Sequence, residues 1–281
     1  MKLDLKTTKK LNNGVEIPML GFGVFQCKDG EETVNAVRWA LEAGYRHIDT
    51  ASAYRNEKSV GDAIRQSSIN RKELFITTKL KIEDIRTGMQ AQAFEKSLQL
   101  LQTDYLDLYL IHWPVTGKNA ESWKILEDLY KYGRIKSIGV SNFVETNIDK
   151  LLAGAKVVPA VNQIELHPHL SQQASVAHCI KLGIAAEAWS PLGGTGGKLL
   201  DDELLQKIAK KYGKSTAQIT LRWELQNGIV TIPKSTHKER IIANTDLYNF
   251  ELSAAEMKSI TDLDQNPLPT GMGWDPKSIA F

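Results

Sequence analysis

Short apolar runs recur along the chain, and a stretch with helical periodicity follows each of them. The runs are unbroken rather than alternating, which is typical of strands covered on both faces. Eight runs predict strands: Met19–Gly23, Arg46–Asp49, Leu74–Lys79, Leu106–His112, Ser137–Ser141, Val161–Glu165, Ala185–Ser190 and Ile229–Ile232.

Between these strands, apolar residues three or four positions apart predict amphipathic helices. The first helix ends before Gly44, a residue that suits a helix C-terminus. The predicted helices are Glu31–Ala43, Glu57–Gln66, Gly88–Leu101, Glu121–Tyr132, Glu145–Leu152, Ser171–Leu182, Leu200–Tyr212 and Ser215–Gln226.

The spacing of these elements predicts the fold class. Most strand centres lie about 24 to 32 residues apart, which fits one strand–helix unit each. Only the last gap is longer, and it holds two helical patterns. Eight alternations without a linker predict an α/β fold, a (β/α)8 TIM barrel in one domain over residues 1–281. An open, doubly wound parallel sheet is the alternative.

Two terminal segments add to this picture. Alternation over residues 8–17 around Asn12-Asn13-Gly14 predicts an N-terminal β-hairpin that caps the bottom of the barrel. The tail after Asp264 has no helical period and is predicted to be a loop.

Composition narrows the class of protein. Hydrophobic residues make up 42% and charged residues 24% of 281, which argues against a disordered chain. A net charge of +2 without a long basic run gives no indication of nucleic-acid binding. No window is apolar enough for a membrane span. Cys27 and Cys179 have no metal-binding spacing. We therefore expect a cytoplasmic monomer that binds no metal.

Several local motifs resemble known sites but lack a required residue. Gly193–Lys198 is rich in glycine, but Leu199 stands where a phosphate-binding loop needs Ser or Thr. Gly21-Phe22-Gly23 lacks the third glycine of a dinucleotide fingerprint. His167-Pro168-His169 has no carboxylate at ligand spacing. Each is interpreted as structural.

Polar residues end three successive predicted strands, where barrel active sites lie. They are Asp49 and Tyr54 after the second strand, Lys79 on the third and His112 on the fourth. This set suits proton donation to a carbonyl, because an ammonium next to a phenol stabilises the phenolate and lowers the phenol pKa. Asp49 would keep Lys79 charged, and a neutral His112 would donate to the substrate oxygen. The set supplies no hydride, so it implies a reduced cofactor.

Three motifs in order resemble the aldo-keto reductase family. Gly44–Glu57 closely resembles the family signature, Val161–Pro168 a second block, and Ile232-Pro233-Lys234-Ser235 a third. The resemblance runs from about residue 8 to about residue 267, and the order and spacing of its motifs agree with the barrel. It implies an NADPH-dependent reductase of aldehydes and ketones with Asp49, Tyr54, Lys79 and His112 as catalytic residues and Tyr54 as the acid.

The resemblance also implies a cofactor site. Ser141, Asn142 and Gln163 would hold the nicotinamide carboxamide, and Trp189 would stack on the ring where many relatives carry Tyr. Ser190, Pro191 and Leu192 would line the pyrophosphate path. Lys234, Ser235 and Arg240 match the pocket for the adenosine 2′-phosphate. Thr236 adjoins this pocket, and Asn244 and Glu239 would lie near the adenine.

The substrate implied by the resemblance is a small carbonyl compound. The segment at 114–119 and the tail are short, which predicts an open pocket lined by Phe25, Trp113 and Trp274, with Lys81 as a polar wall. These traits resemble bacterial and protozoan members such as diketogluconate reductases, glyoxal reductases and prostaglandin F synthases.

Two other classes remain open. One is a Schiff-base lyase that uses Lys79 as its nucleophile, which Asp49 argues against because a carboxylate keeps the amine protonated. The other is a non-catalytic nicotinamide-binding or sensing barrel, which the complete catalytic set argues against.

Overall fold

The strands of the chain form a hairpin and a parallel barrel. The computed structural model describes residues 3–194 and 198–264. β1 (Thr8–Lys10) and β2 (Glu16–Pro18) are antiparallel. The parallel sheet contains, side by side in chain order, β3 (Gly21–Gly23), β4 (His47–Asp49), β5 (Phe75–Leu80), β6 (Leu108–Ile111), β7 (Ile138–Ser141), β8 (Val161–Glu165), β9 (Ala185–Trp189) and β10 (Val230–Thr231).

The two ends of this sheet meet. Leu20, directly before β3, pairs in parallel with Thr231 of β10, and the Thr231 backbone N–H donates to the Met19 carbonyl at 2.9 Å. The eight strands therefore form a nearly closed barrel. The predicted (β/α)8 barrel is confirmed, and the open-sheet alternative is wrong.

Helices alternate with the barrel strands. They are α1 (Glu31–Glu42), α2 (Glu57–Gln66), α3 (Ile82–Arg86), α4 (Gln90–Leu101), α5 (Asn119–Lys131), α6 (Glu145–Leu152), α7 (Gln173–Lys181), α8 (Glu203–Tyr212), α9 (Thr216–Gln226), α10 (Lys238–Ala243) and α11 (Ala254–Thr261). Both α8 and α9 lie between β9 and β10, as the long last gap predicted. The sequence pattern missed α3, α10 and α11. α3 and α10 span only five and six residues, which is less than two turns and too short to show helical periodicity.

Some predicted bounds are wrong for local reasons. α7 begins at Gln173 rather than Ser171, because Gln172 has a left-handed backbone with φ 50°. The last strand covers only Val230–Thr231 instead of Ile229–Ile232, because only these two residues pair with β9. The tail after Asp264 lies outside the described residues.

The hairpin covers the bottom of the barrel, as predicted. The Asn12 side-chain amide donates to the Pro159 carbonyl at 2.9 Å, just before β8. The Asn13 amide donates to the Lys136 carbonyl at 2.9 Å, just before β7. Both acceptors stand at the N-terminal ends of strands, so the opposite end of the barrel stays open for a site.

Strand alternation places polar groups in the barrel interior above an apolar layer that includes Phe75, Leu110 and Val161. Ile48 of β4 packs outward in the main hydrophobic core, while its neighbours His47 and Asp49 are buried on the inner side. On β5, Ile76 belongs to that core and Lys79 is fully buried inside. An interior of this kind positions ionisable groups in an environment of low polarity.

Candidate active site

A buried ammonium lies at the centre of the site. The Lys79 Nζ donates to Asp49 Oδ1 at 2.6 Å, to the Thr50 carbonyl at 2.9 Å and to the Tyr54 hydroxyl at 3.4 Å. These partners match the three donors of an ammonium group. Asp49 is 2% exposed and Lys79 is fully buried, so the ion pair acts in a region that screens charge weakly.

Local structure explains why these residues meet. β4 and β5 are adjacent parallel strands, and Asp49 stands opposite Thr77 in their register. Directly after β4, the chain forms a single 3-10 turn, Ser52–Tyr54, that carries the phenol. The Ser52 hydroxyl donates to the Lys79 carbonyl at 2.9 Å and fixes this turn against β5. Arg55 then leaves the turn with a left-handed backbone, φ 60°.

Burial and charge set the protonation of these groups. Burial lowers the pKa of Lys79, but Asp49 and Tyr54 outweigh that effect, so its pKa lies above the ordinary value. Burial raises the pKa of Asp49, and the adjacent ammonium opposes this shift. The pKa of Tyr54 is raised, because burial outweighs the lowering by Lys79. The sequence analysis gave the sign of the lysine effect correctly, but the net lowering it predicted for Tyr54 is wrong in the protein alone.

His112 directly follows β6 and faces Tyr54. The two rings meet edge to face with centroids 5.6 Å apart. Burial holds the pKa of His112 well below its usual range, and the Lys79 charge adds to this effect. The imidazole is therefore neutral near pH 7. Phe25, 36% exposed, packs on the other side of Tyr54 with centroids 4.9 Å apart. The structure thus brings the four predicted catalytic residues together at the C-terminal ends of the strands.

Four of the predicted cofactor residues form a second cluster on β7, β8 and β9. The Ser141 hydroxyl donates to the Gln163 carbonyl at 2.9 Å. Asn142 has φ 61°, and its amide donates to the His112 carbonyl and to Ser141 Oγ, each at 3.1 Å. The half-buried Trp189 indole donates to Asn142 Oδ1 at 2.9 Å. This cluster borders the four predicted catalytic residues, here called the tetrad, through His112. It presents polar groups beside a large aromatic face.

The two clusters are joined by Gln163. Its Nε2 donates to Asp49 Oδ2 at 2.9 Å and to Glu187 Oε2 at 3.1 Å. The other Glu187 oxygen lies 3.6 Å from His47 Nε2. Sequence reasoning missed Glu187 and His47. Strand alternation was the available signal. Glu187 lies two positions before Trp189, and His47 lies two positions before Asp49, so each shares a strand face with a predicted site residue.

The remaining predicted cofactor residues lie on two loops. After β9, Ser190 has φ 47°, Pro191 is buried and Leu192 packs half-buried against the main core. After β10, Lys234 and Arg240 are exposed, Thr236 is half-buried, and Ser235 and Asn244 are 8% and 7% exposed. Glu239 is exposed in the first turn of α10. The Ser235 hydroxyl oxygen accepts from the His237 backbone N–H at 3.0 Å, which is a bond within this loop.

The predicted substrate residues differ in placement. Phe25 contacts Tyr54, as described above. Trp113, directly after His112, is 6% exposed. Lys81 is ion-paired with Glu83 at 3.1 Å and with Asp84 at 3.5 Å. Trp274 lies outside the described residues.

Residues 3–194 and 198–264 contain neither a metal-binding cluster nor a membrane-spanning helix. No group of three or more His, Cys, Asp or Glu residues is arranged there to hold a metal ion. None of the helices in that part of the chain is long and apolar enough to cross a bilayer.

The known proteins that this chain resembles are aldo/keto reductases, including reductases of glyoxal and methylglyoxal. The model of the aldo/keto reductase family matches residues 19–265. Glyoxal reductase of Bacillus subtilis is 50% identical over 281 residues, with 100% of both chains covered. Methylglyoxal reductase DkgA of Escherichia coli is 46% identical over 276 residues, with 98% of both covered. The crystal structure of a Bombyx mori aldo-keto reductase in complex with NADP aligns with a TM-score of 0.89 at 38% identity, covering 99% of both chains.

Proposed function

Since this chain belongs to the aldo/keto reductase family, we propose that it reduces small aldehydes and ketones to alcohols with NADPH, and that Tyr54 is the proton donor. The observation that carries the proposal is the buried contact between the Lys79 ammonium and the Tyr54 hydroxyl, 3.4 Å apart at the open end of the barrel. A carbonyl that gains a hydride needs a proton at its oxygen, and this phenol is the proposed source of that proton.

Each residue of the tetrad has a different proposed role. Tyr54 keeps its proton until a substrate oxygen accepts it, because burial raises its pKa. Lys79 then stabilises the phenolate that forms, and Asp49 holds Lys79 charged and in place. The neutral His112 imidazole orients the substrate carbonyl by a hydrogen bond that its ring N–H donates to the carbonyl oxygen. These groups are set before the reaction, so little reorganisation is needed as charge develops.

The second cluster fits a nicotinamide cofactor. Amide and hydroxyl groups of Ser141, Asn142 and Gln163 suit a carboxamide, and the half-buried Trp189 offers an aromatic face for stacking. When bound, the cofactor supplies the hydride. Ser190, Pro191 and Leu192 are proposed to line the pyrophosphate path.

The loop after β10 supports a preference for NADPH. Lys234 and Arg240 are exposed cations, and Ser235 contributes a hydroxyl between them in sequence. Two cations and a hydroxyl suit a phosphate dianion. Thr236 and Asn244 are proposed to complete this part of the site.

Small dicarbonyl compounds are the substrates to test first. The glyoxal and methylglyoxal reductases named above are relatives over nearly the whole chain. Phe25 presents a partly exposed ring beside Tyr54, which suits a small apolar substituent. Trp113 and Trp274 remain proposed lining residues.

The lyase alternative receives no support from the charges of the site. A Schiff-base nucleophile must be a neutral amine, whereas the pKa of Lys79 is raised by Asp49 and Tyr54.

Replacement of the phenol tests the proposed function. Tyr54→Phe removes the hydroxyl and keeps the ring, so kcat for methylglyoxal with NADPH should fall by about 100-fold or more, while NADPH still binds. Tyr132→Phe is the matched control, since Tyr132 is 77% exposed on the surface and should leave kcat unchanged. Near-normal turnover by Tyr54→Phe would show that another group donates the proton. NADPH binding without turnover of any small aldehyde by the wild type would favour the sensing alternative.

A further inference from the structure

A carboxyl group beneath the tetrad has no part in the mechanism so far. Glu187 of β9 is fully buried in the barrel interior. Its Oε2 accepts from Gln163 Nε2 at 3.1 Å, and its Oε1 lies 3.6 Å from His47 Nε2. A buried carboxyl group is costly unless it is paired or protonated, so this position calls for a physical account.

The first part of that account is the orientation of Gln163. A glutamine amide has two hydrogens on nitrogen, and those of Gln163 face two carboxyl groups, Asp49 and Glu187. With both hydrogens bonded to these carboxyl groups, the carbonyl oxygen is the polar atom of the Gln163 side chain that remains for a ligand. That oxygen can accept a hydrogen bond but cannot donate one, so its partner must be a donor such as the amide nitrogen of a carboxamide.

The second part is the charge balance of the interior. The Lys79 ammonium neutralises Asp49, to which it donates at 2.6 Å. Ionised Glu187 would add a second negative charge beside Asp49. Burial, and next the Asp49 charge, raise the pKa of Glu187 to about 8. Burial lowers the pKa of His47 to about 3, so the imidazole does not supply a balancing charge at neutral pH.

We propose that Glu187 is a positioning residue which, as a neutral carboxylic acid, holds Gln163 toward the nicotinamide carboxamide and limits the negative charge beneath Tyr54. The proposal rests on the proposed function, because it concerns the same cofactor and proton donor. It adds a group on β9 that acts through Gln163 and through charge, without touching the substrate.

The surroundings of Glu187 define which charges the proposal involves. Gln163 on β8 and Val230 on β10 are its register neighbours and do not titrate. The titratable groups that face it across the interior are His47 and Asp49 on β4, Lys79 on β5 and Tyr54 in the turn after β4.

Ionisation of Glu187 should slow reduction. A negative charge at this position raises the pKa of Tyr54, and so it opposes the phenolate that develops as the substrate takes the proton. We expect kcat for carbonyl reduction to fall by about three- to tenfold to a lower plateau as pH rises through 8. Loss of the Tyr54 proton itself belongs to a higher pH range, because burial raises the pKa of this phenol above its ordinary value.

The test compares pH profiles of the full-length protein. Glu187→Gln is close to the protonated acid in shape and cannot ionise, so its kcat should stay level from pH 7 to 9 where the wild-type value falls. Its amide oxygen can still accept from Gln163, so the Kd for NADPH should remain within about twofold. Glu187→Leu removes the acceptor and should weaken NADPH binding about three- to tenfold.

Glu224→Gln is the matched control. Glu224 is another fully buried acid, on α9, and it accepts from Thr231 rather than from Gln163. This variant should retain the alkaline fall of the wild type. If Glu187→Gln retains that fall as well, or if the wild-type profile is level, the proposal is wrong.

Infrared spectroscopy separates this proposal from the proposed function. In the difference spectrum of wild type minus Glu187→Gln, a carboxylic-acid carbonyl band should be present at pH 6.5 and gone by pH 9.5. The band of protonated Glu224 is common to both proteins and cancels. This readout does not require turnover. A wild type that reduces no carbonyl compound but shows this titration would overturn the proposed function and leave the protonation of Glu187 standing. Absence of the band would overturn the inference even in an active enzyme.

Discussion

At the scale of single residues, the proposed choice of cofactor depends on a few exposed cations. Arg240 extends from α10 and Lys234 from the loop before it, and both are exposed. A charged hydrogen bond contributes about 1.5–3 kcal/mol. Exposed residues of this kind affect cofactor recognition but contribute little to folding stability, because their side chains are not buried when the chain folds.

Arg240→Ala therefore makes a specific prediction. The Kd for NADPH should rise about 10- to 100-fold, while the Kd for NADH, which lacks the 2′-phosphate, should stay unchanged. Fluorescence titration of both cofactors measures the difference. Lys238→Ala is the control, because Lys238 is an exposed cation at the start of the same helix and is not among the proposed phosphate residues. If Arg240→Ala raised the Kd for NADPH and the Kd for NADH by the same factor, Arg240 would not act on the 2′-phosphate.

The residue scale also shows how far sequence reasoning reached. Asp49, Tyr54, Lys79 and His112 were placed together because polar residues at the ends of parallel strands converge on one rim. The net pKa direction of Tyr54 was wrong, because desolvation depends on how much surrounding protein excludes water, and no motif records that quantity. Glu187 was missed because it lies one layer below the rim, inside a run that otherwise looks apolar.

At the scale of elements, the helix layer depends on close approaches that only glycine permits. Gly61 on α2 faces α4, and a Cβ there would lie 2.5 Å from the Leu100 carbonyl oxygen. Backbone atoms cannot move aside as a flexible side chain can. The position of α2 matters to the site, because the helix follows the turn that carries Tyr54.

Gly61→Ala should therefore lower the free energy of unfolding by about 1–3 kcal/mol through overpacking. Gly154→Ala is the matched control: this glycine is exposed after α6, and a Cβ there would have no atom within 4 Å. It should be neutral or stabilising by up to about 1 kcal/mol. Urea denaturation of the two variants measures both effects. Similar free energies of unfolding for both would mean that α2 and α4 can separate without cost.

Element boundaries were harder to predict than element types. Eight strands followed from eight apolar runs, but strand limits depend on which residues pair, and β10 pairs through two residues only. The start of α7 depends on the left-handed Gln172, a residue type with no strong preference for that conformation. Such features are set by the packing of neighbouring elements and leave little trace in one sequence.

At the scale of the whole molecule, buried acids should make stability depend on pH. Burial raises the pKa of Glu224 well above its usual range, and Glu187 is shifted in the same direction. In the unfolded chain both acids lose their protons near pH 4.5, whereas the folded protein retains them. The unfolded state then binds fewer protons, so stability falls as pH rises until each folded pKa is passed.

Buried histidines act in the opposite direction at lower pH. The pKa of His47 is lowered to about 3, so the unfolded chain binds a proton near pH 6.5 that the folded protein does not. Stability is therefore lost as pH falls from about 6.5 toward 3. This contribution becomes constant only about one pH unit above 6.5, but it is the same in the wild type and in a variant of a buried acid. A comparison of their slopes between pH 6.5 and 8 therefore isolates the acid that was replaced.

Glu224→Gln isolates one of these acids in that window. The variant has no proton to lose, so the fall in its free energy of unfolding between pH 6.5 and 8 should be shallower than in the wild type by about 1.4 kcal/mol per pH unit. Urea denaturation at several pH values gives both slopes. Glu42→Gln on the exposed side of α1 should run parallel to the wild type, because that carboxyl is open to solvent. Slopes for Glu224→Gln that run parallel to the wild type would instead mean that Glu224 is ionised in the folded protein. A positive charge in the interior would then have to balance it, because the Thr231 hydroxyl donates only a neutral hydrogen bond.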